Sequence, residues 1–442
     1  MNTFFVGLFG WVYDKINFGH FWQDVFYYDE LVIVFKLPRK NILFKKGLLL
    51  MNVGIDKIGF ATTQYLLNMD DLAKERGVDP DKYSKGLLLE NLSIAPITED
   101  IITLGASAAD SILSDEDKET IDMVIVATES SIDQSKAAAT YIHHLLGIQP
   151  FARSIEMKEA CYSATAALDY ARLHVEKHPD SKVLVIAADV ARYGANTPGE
   201  PTQGAGSVAM LVTQNPRILL LNDNSVAQTR DIMDFWRPNY STTPYVNGMY
   251  STKQYLDMLK TTWAEFQKRF DTSLADFSAF CFHLPFPKLA LKGFRKIMDK
   301  SLPTQWQEKL QANFESSILY SKQVGNIYTG SLFLGLLSLL ENSQNLAAGD
   351  RIAFFSYGSG AVAEIFTGTL VDGFQEQLHS SRLQELNQRQ PLSVATYEKL
   401  FFEEAQLDAD GNATFADYLT GPFALKEILG HERLYGRTND KN

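Results

Sequence analysis

The chain is predicted to be an α/β protein made of two similar halves, and three observations predict it. Continuous apolar runs recur, at Met123-Val124-Ile125-Val126-Ala127, Val183 to Ala188, Phe277 to Phe282 and Arg351 to Phe355, and such runs suit strands covered on both faces. Helical stretches alternate with them, which calls for a central sheet with helices on both sides. In both halves the apolar runs end on polar groups, where ligands bind in open α/β sheets. At 442 residues the chain exceeds what one core usually serves. The halves are drawn at 51–215, carrying Glu129 and Cys161, and 216–442, carrying His283 and Asn326.

From Met51 onward the elements follow in order. Val53-Gly54-Ile55 and Ile58-Gly59-Phe60 read as a short strand, and Met69 to Arg76 as a helix with Asp70 as N-cap. Thr98-Glu99-Asp100 opens a helix to about Ile112. The first buried run ends at Thr128-Glu129-Ser130-Ser131, and Ser135 to Leu146 is a helix stopped by Gly147. Arg153 to Lys158 leads into Glu159-Ala160-Cys161-Tyr162-Ser163-Ala164, whose small residues continue as a tightly packed helix. His178-Pro179-Asp180 breaks the chain before the next strand. In the second half Gly325-Asn326-Ile327-Tyr328-Thr329-Gly330 opens the apolar helix Ser331 to Leu340.

The first fifty residues differ from the rest, being crowded with aromatics such as Phe4, Trp11, Phe21, Trp22 and Tyr27 without helical or strand period. They lack the basic n-region and small-residue cleavage site of a signal peptide. Lys45-Lys46-Gly47 can be encoded by a purine-rich tract ending in GG shortly before Met51, the layout of a bacterial ribosome-binding site and start codon. Met51 is therefore expected to be the true start and residues 1–50 a non-native extension from upstream translation; a genuine extra hairpin or membrane-contacting patch is the alternative.

Composition narrows the function. Forty-five per cent hydrophobic and 21% charged residues are ordinary for a globular protein. A net charge of −12 argues against nucleic acid or an anionic membrane surface as general partner. No run approaches the ~18 apolar residues of a spanning helix. The two cysteines, Cys161 and Cys281, form no disulfide framework, which suits a reducing cytoplasm, and neither has metal-site neighbours.

Several residues can carry chemistry. Cys161 at a helix start suits a nucleophile, since unpaired N–H groups and the helix dipole favour a thiolate; a buried structural cysteine is the bland reading. Glu129 after a buried strand has the surroundings of a raised-pKa general acid or base, or it is solvated or a helix cap. His283, wedged between Phe282 and Leu284-Pro285-Phe286-Pro287, is held either to donate to a substrate carbonyl or as a satisfied core histidine. Asn326 can hold an oxygen by its amide N–H, or simply cap a helix. Gly358-Ser359-Gly360 offers backbone N–H groups of the kind an oxyanion hole needs. Lys288, Lys292, Arg295 and Lys296 line one helix face after Pro287, a strip for phosphates or a solvated face.

Thr128-Glu129-Ser130-Ser131-Ile132-Asp133, Glu159-Ala160-Cys161-Tyr162, Phe282-His283-Leu284-Pro285-Phe286-Pro287-Lys288, Gly325-Asn326-Ile327-Tyr328-Thr329 and Phe355-Ser356-Tyr357-Gly358-Ser359-Gly360 together resemble 3-hydroxy-3-methylglutaryl-CoA synthases of the bacterial type. The resemblance runs in order from Met51 to near Arg437; Asp189 and Gly199-Glu200-Pro201-Thr202-Gln203-Gly204-Ala205-Gly206 also look like the family, and Ser163 departs from its usual glycine. It implies a thiolase-like α/β/α/β/α fold, a homodimer, and condensation of acetyl-CoA with acetoacetyl-CoA in the mevalonate route. No cofactor is implied, the coenzyme A thioesters being substrates. Cys161 would be acetylated with Cys161 and Ser359 N–H groups receiving the oxyanion, and Glu129 would deprotonate the acetyl methyl. His283 and Asn326 would hold the ketone, Lys288 and Lys292 the CoA phosphates, and Asp189 is expected among the substrate-binding residues. A ketoacyl-carrier-protein synthase of the initiating type is the alternative enzyme; Glu129 discriminates, because decarboxylative condensation needs no such base. An idle scaffold acting as a binding partner is the non-enzymatic alternative.

Overall fold

The strands predicted from apolar runs all lie in one nine-stranded mixed sheet. The computed structural model describes residues 25–28, 31–34, 52–401 and 403–439. The chain divides into two units, Met1–Leu50 and Met51–Asn442. In the first, Val25–Tyr28 and Leu31–Val34 pair as an antiparallel hairpin. The remainder of that unit, and with it the Lys45-Lys46-Gly47 and Met51 start-site reading, lies outside the described residues.

In the second unit the sheet strands are β1 (Val53–Thr62), β2 (Ile121–Ala127), β3 (Arg153–Met157), β4 (Lys182–Ala191), β5 (Gly204–Gln214), β6 (Leu219–Thr229), β7 (Ala279–Phe282), β8 (Arg351–Gly358) and β9 (Val362–Leu370). Their order is β7-β8-β9-β6-β1-β5-β4-β2-β3. Within the sheet the two halves join where Leu219 and Leu220 pair with Ile55 and Gly54. On each side of that seam the same pattern repeats. An antiparallel trio, β1-β5-β4 or β6-β9-β8, is followed by a parallel strand, β2 or β7. The likeness of the halves, too weak to see as sequence identity, is thus a likeness of topology.

Side chains alternating along these strands divide the interior into three cores. Val124, Val126, Leu184 and Ile186 pack on helices α1 (Ile101–Asp110) and α2 (Ala138–Leu146). Their neighbours Met123, Ile125 and Ala127 turn to the central core, shared with α3 (Ser163–Lys177) and the helix Ser331–Asn342, buried from Ser331 to Leu340. Phe280, Phe282, Ala353 and Phe355 face the third core, under helices α4 (Gly248–Phe270) and α5 (Pro287–Ile297). Calling Ser331–Asn342 α6, the order is α/β/α/β/α, with α3 and α6 in the middle. Ala164, Ala167 and Ala171 of α3 are fully buried, because only small side chains let a helix sit between two sheet faces.

Local signals mostly work as anticipated. Gly147 ends α2 in the left-handed conformation with φ 65°, and Pro287 occupies the first turn of α5. The exception is helix Met69–Glu75. Its cap is Asn68, whose carboxamide oxygen accepts the Asp70 and Asp71 N–H groups; Asp70 lies inside the first turn, complementing the dipole instead. Among the described residues no helix is long and apolar enough to cross a membrane.

Candidate active site

The polar groups leave the C-terminal ends of parallel strands and the starts of the two central helices. Glu129 follows β2 by two residues, Cys161 precedes α3 by two, His283 follows β7 directly, Asn326 precedes α6 by five, and Ser359 follows β8 directly. Such ends converge because strands related by right-handed crossovers all point the same way. The loops carry strain that ordinary connections avoid: Ala160 and Tyr328 both sit at φ 40° without being glycine, each in the loop before a central helix. Conformations of this kind cost on the order of 1–3 kcal/mol and persist only where surroundings impose them.

At the centre, Cys161 Sγ donates to Glu129 Oε1 at 2.9 Å. Burial, together with the nearby Asp189 charge, pushes the Glu129 carboxyl up to about 8. Burial and the Glu129 charge push the Cys161 thiol up in turn, with Asp189 and Asp234 adding to it. The sequence expectation of a thiolate held by the helix dipole is therefore corrected. Desolvation and a facing carboxylate outweigh the helix terminus, and Cys161 rests as a thiol with its acceptor already in contact.

Asp189 is held inside the fold. It is fully buried at the end of β4, where Oδ1 accepts from Thr128 Oγ1 at 2.9 Å, the Glu129 N–H at 2.9 Å and Ser130 Oγ at 2.8 Å. Oδ2 accepts from the Thr329 N–H at 3.0 Å and Thr329 Oγ1 at 2.6 Å. Five donors leave no lone pair for a ligand. This carboxylate ties the Glu129 loop to the Asn326 loop.

His283 is 2% exposed, with its N–H bonded to Phe355 O at 2.8 Å and its carbonyl accepting from Tyr255 Oη at 2.8 Å. Burial pushes its imidazole down to about 3, so the ring is neutral at physiological pH. Its Nδ1 finds no hydrogen-bond partner among the described residues. Asn326 is 1% exposed; Oδ1 accepts from the Tyr328 N–H at 2.9 Å and Ser331 Oγ at 2.8 Å, so the carboxamide is oriented and Nδ2 reaches Tyr193 Oη at 3.3 Å. The loop packs on the 199–206 segment: Asn326 N–H donates to Gln203 O at 3.2 Å. Gly325, at φ 84°, has space for no side chain there, since a Cβ would lie 1.9 Å from Gln203 O. Gly325→Ala is accordingly expected to cost on the order of 1–3 kcal/mol in urea unfolding and to lower turnover by displacing Asn326.

The turn carrying Ser359 lies against the Cys161 loop. A Cβ on Gly358 would meet Glu159 O and Tyr162 N at 2.7 Å, so glycine lets the two backbones touch. Lys288 is half-buried and Lys292 exposed one turn further along α5, and neither makes an ion pair among the described residues.

Sequence reasoning missed other residues in this neighbourhood. Tyr193 lies within the electrostatic reach of Cys161 and Glu129 and contacts Asn326. Tyr162 Oη donates to Glu364 Oε2 at 2.6 Å, anchoring the residue after Cys161 to β9. Arg237 donates from Nη2 to the Glu129 carbonyl. Tyr193 stands four residues past Asp189 and was findable from the strand end; Arg237, in a polar stretch without period, had no signal.

A thiol and a carboxylate in contact at the mouth of paired central helices, with a neutral imidazole and an oriented amide on loops from the other half, define a thiolase-like acyl-condensing enzyme. The chain belongs to the hydroxymethylglutaryl-CoA synthase family. The family's N-terminal model matches residues 50–216, and its C-terminal model matches 222–305 and 294–406. Hydroxymethylglutaryl-CoA synthase of Enterococcus faecalis is 52% identical over 387 residues, covering 87% of this chain and 100% of the relative. A crystal structure of HMG-CoA synthase complexed with CoA is 76% identical with a TM-score of 0.87, covering 88% of this chain and 100% of that one. MvaS in complex with 3-hydroxy-3-methylglutaryl coenzyme A is 31% identical with a TM-score of 0.78, at 88% and 100% coverage.

Proposed function

We propose that this chain condenses acetyl-CoA with acetoacetyl-CoA through an acetyl-Cys161 intermediate, and the 2.9 Å contact between Cys161 Sγ and Glu129 Oε1 carries the reading. Cys161 sulfur attacks the acetyl carbonyl, the tetrahedral oxyanion is received by the Cys161 and Ser359 N–H groups, and CoA leaves with the thiol's proton. Glu129, close enough to touch the sulfur, then faces the methyl group of the acetyl thioester. It removes a methyl proton, and the new carbanion equivalent attacks the ketone of acetoacetyl-CoA. His283 and the Asn326 amide hold that ketone oxygen, which takes from the Glu129 carboxyl the proton removed from the methyl group as the carbon–carbon bond forms. Water cleaves the enzyme thioester, restoring the thiol and leaving a carboxylate on 3-hydroxy-3-methylglutaryl-CoA.

The neutral His283 fits a hydrogen-bond donor better than a proton-giving imidazolium. Lys288 and Lys292, cations without acidic partners among the described residues, suit the CoA phosphates. No cofactor enters this sequence of steps. We place the enzyme in the mevalonate route to isoprenoids and in the cytoplasm, with neither nucleic acid nor membrane as partner. A homodimer is supported by β3, whose outer edge is open and whose surroundings expose apolar groups, Phe151 at 91% and the partly exposed Ile155 and Met157. The ketoacyl synthase alternative is not favoured, since losing CO2 would leave Glu129 without a task.

One assay tests the reading. Protein mixed with both thioesters should consume the enolate absorbance of acetoacetyl-CoA only when acetyl-CoA is present; loss of absorbance independent of acetyl-CoA would overturn it.

A further inference from the structure

We infer that Arg237 is a positioning residue for the base: from outside the sheet it fixes the Glu129 loop by its backbone and keeps a positive charge beside the carboxylate, so that Glu129 ionises when a methyl proton must be taken. The inference rests on the reading of Glu129 as base. Arg237 follows the first strand of a small hairpin, Phe235–Trp236 paired with Tyr245–Val246, that belongs to no layer of the fold. The root of the hairpin is secured by Asp234, fully buried, which accepts from Tyr357 Oη at 2.7 Å, the Gly360 N–H at 2.9 Å and Ser251 Oγ at 3.2 Å. One short segment thereby holds both the turn bearing Ser359 and the loop bearing the base.

The charges around Glu129 explain why a cation is required there. From β4 it faces Asp189, from the nucleophile loop Cys161 and Glu159, and from the loops before the central helix and after β4 the phenols of Tyr328 and Tyr193. Two acids and desolvation press a proton onto the carboxylate, and the single cation in this set is Arg237. The guanidinium makes no ion pair among the described residues, and with Glu129, Lys158 and Arg192 it lines a cavity of about 910 Å³. Its charge is therefore not spent on another acid. An opposite charge nearby lowers a carboxyl pKa, typically by 1–3 units when close and buried, and less for a half-buried arginine.

The test is the pH profile of condensation by the full chain, with Arg237→Gln and Arg237→Lys beside the parent. Loss of the charge should move the acid limb of Arg237→Gln up by about one unit, lowering the rate at neutral pH about tenfold and restoring it about two units higher. Arg237→Lys, keeping the charge but not the fork, should hold the limb where the parent has it. A rate lowered by one factor at every pH, an unchanged profile, or a lysine variant shifted as far as the glutamine one would overturn the inference. Glu129→Gln measured alongside separates the two ideas. If it condenses like the parent, the base reading falls; if it is inactive while Arg237→Gln shows no shift, only the role of Arg237 falls.

Discussion

Glu129→Ala is expected to lower condensation by about 10²–10⁴-fold, the usual worth of a positioned general base, while acetyl-Cys161 still accumulates from acetyl-CoA. The contact geometry makes the second half of this expectation less obvious than it looks, because the thiol donates its hydrogen bond to the same carboxylate that is proposed to take the methyl proton. Two consequences of the substitution oppose each other in the first step. The acceptor is lost, and so is the negative charge that, after burial, does most to keep the thiol protonated. A water in the space left by the side chain can take the proton of a now more acidic thiol, so acetylation changes little. Nothing comparable rescues the second step, for a thioester methyl is a far weaker acid than a thiol. Intact mass after acetyl-CoA and enolate loss after acetoacetyl-CoA separate the two. A variant that stays unlabelled but condenses normally once acetylated by other means would give Glu129 to the thiol alone.

What the sequence discloses about this site depends on where the physics is local. Glu129, Cys161, His283 and Asn326 were legible because each stands at the end of an apolar run or the start of a small-residue or apolar helix, and those boundaries survive folding. β2 and β4 were read from continuous valines and isoleucines, since both faces are covered. β6 and β9 were not, and the reason is visible in their side chains. β6 carries Asn222, Asp223 and Asn224 at a bulge, and β9 carries Glu364 and Thr367, polar groups with partners across strands or on Tyr162. β3, with Arg153 exposed and the next four residues half-buried, is the last strand of the sheet among the described residues and reads as an undistinguished polar-apolar stretch. Long-range electrostatics were the least legible of all. The dipole of α3 is encoded within a few residues of Cys161, but the acids that overrule it come from strand ends 28 to 73 positions away. The same distance hides the hydrogen bonding of Asp189, whose donors arrive from two separate stretches, residues 128–130 and Thr329.

Cys161→Ser should abolish covalent acetylation and lower turnover by at least about 10³-fold, whereas Cys281→Ser should still be labelled. The two cysteines differ in every property that nucleophilicity needs. Cys161 is partly accessible, stands in a loop at the start of α3 and has a carboxylate in contact to receive its proton. Cys281 is 0% exposed within β7, its side chain in the central core, and burial alone pushes its thiol far up, with no carboxylate in contact among the described residues. Serine at 161 is nearly isosteric, so the fold and the Glu129 contact should persist. Its hydroxyl is a much weaker acid, and a carboxyl held near 8 by burial cannot ionise it usefully. Serine at 281 instead buries a hydroxyl among apolar groups at a cost of about 1–3 kcal/mol, so Cys281→Ala serves as a second comparator if that variant is unstable. Intact mass after acetyl-CoA reads the outcome as a gain of one acetyl group in both Cys281 variants and none in Cys161→Ser. Equal labelling of Cys161→Ser and Cys281→Ser would remove Cys161 from the mechanism, and with it the role assigned to every group that faces its sulfur.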